Sequence, residues 1–367
     1  MTESQNFLLT LVRMALWRKQ EAMPDHKPDW KNVLVLAEKQ TLLGLVAEAV
    51  PMLPEYLQPD PKSKMKLHTM AMRIIKSHSI LNRKVADIKT RMDSNGIQTV
   101  LLKGQGVALN YPNPQSRQCG DIDIYVGENN FDQALRQLDP LSDEDYRYLK
   151  HFNITEDGVD IEVHRIAEIL PGAKHDRLFQ QWTNSCLEGN MLRQEEIGGV
   201  YVNLPPVDFD AIYIMNHIWR HFMTGGIGLR QLCDWAMFLH RYHNDIDSNA
   251  LSSNLNKFGL TRAWHILSAL VVQHLGLPKE ECPLYDGQYA KKTDKVLDII
   301  WHDGNFGHYS SPSKKPDSAN RYTAKFNTFK KITLRIIRIF SVSPIDVLYS
   351  WLYFSIRGIK KISVILK

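Results

Sequence analysis

Two carboxylates on one short strand, with a glycine turn upstream, are the part of this sequence best equipped for chemistry. The run Gly120-Asp121-Ile122-Asp123-Ile124-Tyr125-Val126 alternates acids with aliphatics. Successive side chains of a strand face opposite sides, so Asp121 and Asp123 share one face while Ile122 and Ile124 enter the core. Upstream, Leu101-Leu102-Lys103-Gly104 reads as a strand ending in a glycine turn. Paired acids on a rigid strand suit divalent cations, and a glycine turn suits a phosphate. Together they point to metal-dependent nucleotidyl transfer.

The spacing alone decides nothing, because Asp-x-Asp occurs four times in the chain. Context separates the copies. Asp143 and Asp145 lie in the polar run Ser142-Asp143-Glu144-Asp145, and Asp245 and Asp247 in His243-Asn244-Asp245-Ile246-Asp247-Ser248; both read as loops. Asp208 and Asp210 follow Pro205-Pro206 and open a helix, where acids favour the positive end of the dipole. Only Asp121 and Asp123 combine strand alternation with the glycine turn.

A two-metal transfer site usually needs a third carboxylate. The strand Val159-Asp160-Ile161-Glu162-Val163-His164-Arg165 offers one, with Asp160, Glu162 and His164 on one face and Ile161 and Val163 on the other. A sheet that sets this strand beside 121–126 brings Glu162 toward the acid pair.

With these residues in view, the sequence resembles the polymerase-β-like nucleotidyltransferase superfamily, and within it a bacterial family of uncharacterised nucleotidyltransferases. The resemblance rests on Leu102-Lys103-Gly104, Tyr111-Pro112, Arg117, Gly120-Asp121-Ile122-Asp123, Glu162-Val163-His164, Gly228-Leu229-Arg230-Gln231-Leu232-Cys233-Asp234 and Gly304-Asn305-Phe306-Gly307, in the family's order. It implies that Asp121 and Asp123 bind two Mg²⁺ ions, with Mn²⁺ an alternative, and that Glu162 completes the site where the superfamily commonly has Asp. The superfamily's Gly-Gly or Gly-Ser turn is here Lys103-Gly104-Gln105-Gly106. Without the Ser, the triphosphate of an NTP such as ATP would meet backbone N–H groups at a helix start near Gly104, together with Lys103. Arg117 and Arg230 are candidates for contacting the nucleotide. The rival readings are a surface cation for Arg117 and, for Arg230, an i,i+4 ion pair with Asp234. The altered turn and the Glu keep open a second function, a degenerate nucleotide-binding regulatory module.

Other chemistries fit poorly. His217 and His221 have the spacing of a zinc-protease helix, but position 218 is Ile where the general base should stand. They are expected to pack near the sheet. Cys119, Cys186, Cys233 and Cys282 form no Cys-x-x-Cys pair, which argues against a structural zinc site, and Cys119 reads as a small packed residue.

The elements that must hold the acids follow from periodicity. Residues 1–94 read as helical, with a long helix over 63–93 ended by Ser94-Asn95-Gly96. Strands are expected at 97–102, 121–126, 148–155 and 159–166, the last two joined by Glu156-Asp157-Gly158. Short helices are expected at 104–110 and 131–138, and the pattern is helical again from 205. The expected fold is α+β, a small mixed sheet flanked by helical regions: 1–94 helical, 95–204 the nucleotidyltransferase core, 205–310 a helical domain, and 311–367 a basic amphipathic tail.

The chain has 367 residues, 44% of them hydrophobic, and a net charge of +5. Residues 325–367 hold nine Lys or Arg and one acid, Asp346, leaving the remainder slightly acidic. That disfavours a nucleic-acid acceptor and leaves an unidentified small-molecule or protein acceptor. The absence of a signal-like apolar core or a spanning run suggests a cytoplasmic protein. The tail's mixture of apolar and basic residues suggests peripheral contact with the inner face of a membrane, against the plainer alternative of helices packed on the body.

Overall fold

The computed structural model describes residues 1–138, 150–189, 191–305, 333–335, 337–349 and 351. Strands β1 (Val100–Leu102), β2 (Asp121–Tyr125), β3 (His151–Glu156) and β4 (Val159–His164) form one sheet in the order β1-β2-β4-β3. The central pair, β2 and β4, is parallel, and β1 and β3 flank it antiparallel. Register sets Asp121 beside Asp160, Asp123 beside Glu162 and Tyr125 beside His164. Alternation therefore gathers the acids on one face. Ile122, Ile124, Ile161 and Val163 fill the other, buried against helices α4 (Pro61–Asp93) and α6 (Gly127–Leu138).

Local chemistry explains the boundaries. Asp60 caps α4 by accepting from the backbone N–H groups of Lys62 and Ser63, and Pro61 takes the first helical position, so the helix starts slightly before the apolar pattern suggests. Asp157 and Gly158 both have positive φ, as a two-residue hairpin turn with the strands' twist requires. Residues 127–130, expected to link β2 to the next helix, instead form the first turn of α6, with Glu128 at the positive end of its dipole. Two features between 166 and 205 escaped the sequence reading: a helix over Ala173–Leu187, and a hairpin of β5 (Arg193–Ile197) and β6 (Val200–Leu204) turning on Gly198-Gly199. The hairpin covers the edge of β1, where the Asn203 side-chain amide donates to the Thr99 carbonyl.

Helices α1 (Glu3–Trp17), α2 (Trp30–Lys39) and α3 (Leu43–Ala49) share one apolar core with α8 (Val207–Thr224), α9 (Leu229–Tyr242), α10 (Ser248–Phe258), α11 (Thr261–Leu275) and α12 (Ala290–Asp303). Polar ties cross the same junction. Trp17 Nε1 donates to the Leu275 carbonyl at 2.6 Å, and Gln40 accepts from the Leu229 N–H while donating to the Ile300 carbonyl. Helices α5 (Gly104–Ala108) and α7 (Ala173–Leu187) complete the set.

The described part of the basic tail packs on this body: Ile339, Val342 and Val347 are buried, and Arg335 bonds the Phe222 carbonyl and Asp303. The rest of 311–367 lies outside the described residues, as do Asp143, Asp145, Phe306 and Gly307. No helix among the described residues is long and apolar enough to cross a membrane.

Candidate active site

The acid face of the sheet opens into a cleft of about 240 Å³, closed on the opposite side by α8 and α9. Asp121, Asp123 and Glu162 all line it. Asp160, next to Asp121 in register, lies outside the cleft wall and accepts from the Thr155 hydroxyl. His164 joins two of the acids, its Nε2 lying 3.0 Å from Asp123 and 3.4 Å from Glu162. Across β3 and β4, His151 Nδ1 stands 3.8 Å from Glu162. His151, Glu162 and His164 offer three ligand atoms within 4.8 Å of one another.

The three carboxyls sit in different fields. Asp123 is 3% exposed. Desolvation pushes its pKa up, but Lys103 and the His164 hydrogen bond outweigh this and hold it well below the carboxylate range. Glu162 is also lowered: desolvation and the Asp123 charge oppose the His164 hydrogen bond, which wins together with the two imidazoles. Asp121 is raised. Although the residue as a whole is exposed, its carboxyl is desolvated within the cleft, and Asp123 repels its charge more than Lys103 relieves it. Three hard oxygen-donor groups under mutual repulsion suit a divalent cation such as Mg²⁺ or Mn²⁺, and the imidazoles fit the latter as well.

The cationic candidates separate. Lys103 enters the cleft, its Nζ 3.2 Å from Asp123 and 3.4 Å from His217 Nδ1. Its φ of 50° is unusual for a residue with a Cβ, and Gly104 follows with φ of 48°. Gly104 lines the cleft, whereas Gln105 and Gly106 turn inward. The Gln105 amide binds His78 and Asn82 on α4, and a Cβ on Gly106 would meet Leu204 at 2.7 Å. Those two residues therefore brace the turn from behind.

Arg117 reaches the cleft wall, but its guanidinium is committed to a fork with Asp234, at 2.6 and 2.8 Å. Tyr111 also donates to Asp234, at 2.6 Å. The i,i+4 partner suggested for Asp234 thus yields to Arg117, which fits the carboxylate bidentately. Arg230, 4.0 Å from Asp234, donates instead to the Gln118 carbonyl, and its Nε is buried with no partner among the described residues. Beside this fork, burial raises the Cys119 thiol, consistent with a packed residue rather than a thiolate.

The sequence reading missed the wall behind Lys103. Glu168, 1% exposed, accepts from Lys150 and Arg220, both at 2.9 Å, and lies 3.5 Å from His217 Nδ1. A signal was present: an acid within Ile166-Ala167-Glu168-Ile169-Leu170 is a charge in an apolar run, which folding must pair. His217 and His221 face this cleft, and burial is the main cause lowering both, followed by Lys103 at His217 and by His217 and Arg220 at His221. His217, pushed down to about 3, is a neutral imidazole at ordinary pH.

Comparison with known proteins is consistent with this geometry. Residues 26–276 match the profile of a family described as "Uncharacterised nucleotidyltransferase". The chain belongs to that family and is a nucleotidyltransferase. Among solved structures it is similar to an antigenic nucleotidyltransferase-like protein from Paracoccidioides brasiliensis, at 14% identity over 56% of this chain and 92% of that one, with a TM-score of 0.30. That likeness is too distant to bear on the chemistry. No curated protein matches.

Proposed function

We propose that the cleft transfers the NMP portion of an NTP to a hydroxyl of an acceptor, with Asp121, Asp123 and Glu162 holding two divalent cations, Mg²⁺ or Mn²⁺. The observation that carries this is the parallel β2–β4 register, which sets Glu162 beside Asp123 with His164 bridging them. Bound there, the cations would lower the pKa of the acceptor hydroxyl and neutralise charge on the triphosphate.

The chain's own groups do the rest. His164 fixes the orientation of two carboxylates. Lys103, on its strained turn, presents an ammonium to the phosphates, and Gly104 lets them approach the backbone. Arg230 adds a second cation from α9, while Arg117 holds Asp234 and the cleft wall in place. In the reaction an O–P bond forms between the acceptor oxygen and the α-phosphorus. The bond from that phosphorus to the bridging oxygen breaks, and pyrophosphate leaves with its electron pair. The hydroxyl proton is released to solvent through the open side of the cleft. On this reading residues 95–204 supply the chemistry and 205–310 the facing wall.

The test is pyrophosphate release from ATP and other NTPs with Mg²⁺ or Mn²⁺, across alcohol, sugar and protein acceptors. Asp123→Asn is expected to lower turnover on the order of 10³-fold, the several kcal/mol that metal coordination contributes, with an unchanged circular-dichroism spectrum. An Asp123→Asn enzyme as active as the parent would refute the assignment.

A further inference from the structure

A second cavity, of about 260 Å³, adjoins the acid cleft, and Lys150 and Arg220 line both. Its far end is apolar: Trp219 and Met223 of α8, Phe258 and Leu260 at the α10–α11 junction, and Ile345 and Tyr349 of the C-terminal segment. The near end is polar, formed by the Lys150–Glu168–Arg220 cluster.

Resting on the transferase reading, we infer that this cavity seats the acceptor, and that the acceptor is a neutral aryl or alkyl alcohol. Its apolar body would lie among Trp219, Phe258 and Leu260, with its hydroxyl passing Lys150 and Arg220 toward the acids. Three observations select that class. An apolar lining offers a sugar too few partners for its hydroxyls, and each unpaired hydroxyl would add a desolvation cost. The cavity's two cations, Lys150 and Arg220, are matched in number by Glu168 and Asp346 and both already pair with Glu168, so it offers an anionic body no excess positive charge. Asn216 is 3% exposed and lines the same wall, and its Nδ2 has no hydrogen-bond partner among the described residues, so it can donate to a single oxygen on the ligand. That donor can meet one polar atom on an otherwise apolar body, apart from the hydroxyl that enters the cleft.

The residues of the C-terminal segment give the inference a clean handle. Ile345 and Tyr349 are 52% and 58% exposed, so polar substitutions there remove an apolar wall without opening the core. The probes are 2-naphthylmethanol and methyl glucoside, titrated calorimetrically into the full chain, with ATP and Mn²⁺ titrated separately. The naphthyl alcohol is expected to bind at least tenfold tighter than the glucoside. Ile345→Asp and Tyr349→Asp are expected to weaken it at least fivefold while leaving the ATP–Mn²⁺ affinity unchanged. In the transfer assay it should release pyrophosphate and become nucleotidylated.

Equal binding of the two probes, or an alcohol affinity indifferent to both substitutions, overturns the cavity assignment. If nucleotide and metal still bind, the transferase reading survives that result. If ATP and Mn²⁺ fail to bind the parent protein, that reading falls and the acceptor assignment with it, whatever the alcohol does.

Discussion

Asp123 is held between Lys103 and His164, and both contacts depend on the acid remaining charged in a nearly closed site. The two arginines of the cleft show how burial sorts residues that look alike in sequence. Arg117 and Asp234 form a buried fork, and removing one member strands the other's charge. Arg117→Leu is therefore expected to cost about 3–5 kcal/mol in urea unfolding. Arg230→Ala should change stability by less than about 1 kcal/mol, because this arginine's contact with Asp234 is long and the fork survives without it. It should instead raise the KM for the NTP roughly tenfold, the loss of one charge-assisted phosphate contact. A larger stability loss in Arg230→Ala than in Arg117→Leu would reverse these roles. The sequence offered Asp234 as a partner for Arg230 and named no carboxylate for Arg117. Asp234 lies four residues from Arg230 and far along the chain from Arg117, and only the folded junction makes the distant partner the nearer one.

At the scale of elements, the acid strands were legible because period-two alternation is a strong local signal. The Asp157-Gly158 turn was legible because positive φ at both central positions restricts the residues that fit. The β5–β6 hairpin carried an equally plain Gly198-Gly199 turn, but its strands alternate weakly: Arg193-Gln194-Glu195-Glu196 is almost wholly polar. Close backbone approaches left no readable trace. Gly44 of α3 packs against the loop before Arg117, where an added Cβ would stand 1.9 Å from the Ser116 carbonyl oxygen. Backbone cannot yield there as a side-chain tip would. Gly44→Ala is expected to destabilise the protein by about 1–3 kcal/mol, measured by chemical denaturation, and to weaken activity by shifting Arg117 and Asp234. Gly106→Ala meets only the Leu204 side-chain methyls, which can rotate, and should cost less. Equal losses in the two variants would contradict this.

Across the whole molecule, the sheet has its own core, while the N-terminal helices and the helices after 205 share another. The cleft lies where these bodies meet, and several imidazoles near it are buried in the neutral state. His78 is one of them. Burial, aided by the charge of Arg117, pushes its pKa down to about 4, and its Nδ1 faces the Gln105 amide at 3.1 Å. His217 behaves alike, at about 3. Unfolded histidine titrates near 6.5, so between about pH 6.5 and 4 the unfolded chain binds more protons than the native one. The stability conferred by a neutral His78 is therefore complete above about 6.5 and is lost as pH falls through about 4, on the order of 3 kcal/mol in total. Asp123 and Glu168, whose folded pKa values are depressed, extend the loss below about pH 4, where unfolded carboxyls begin to protonate. Asparagine at 78 keeps an acceptor for Gln105 and cannot take the proton. His78→Asn should then unfold with about one proton fewer taken up near pH 5, giving a shallower dependence of unfolding free energy on pH from 6.5 to 4. Parallel pH profiles for the variant and parent would show that His78 is not held neutral by its place on α4 against Gln105.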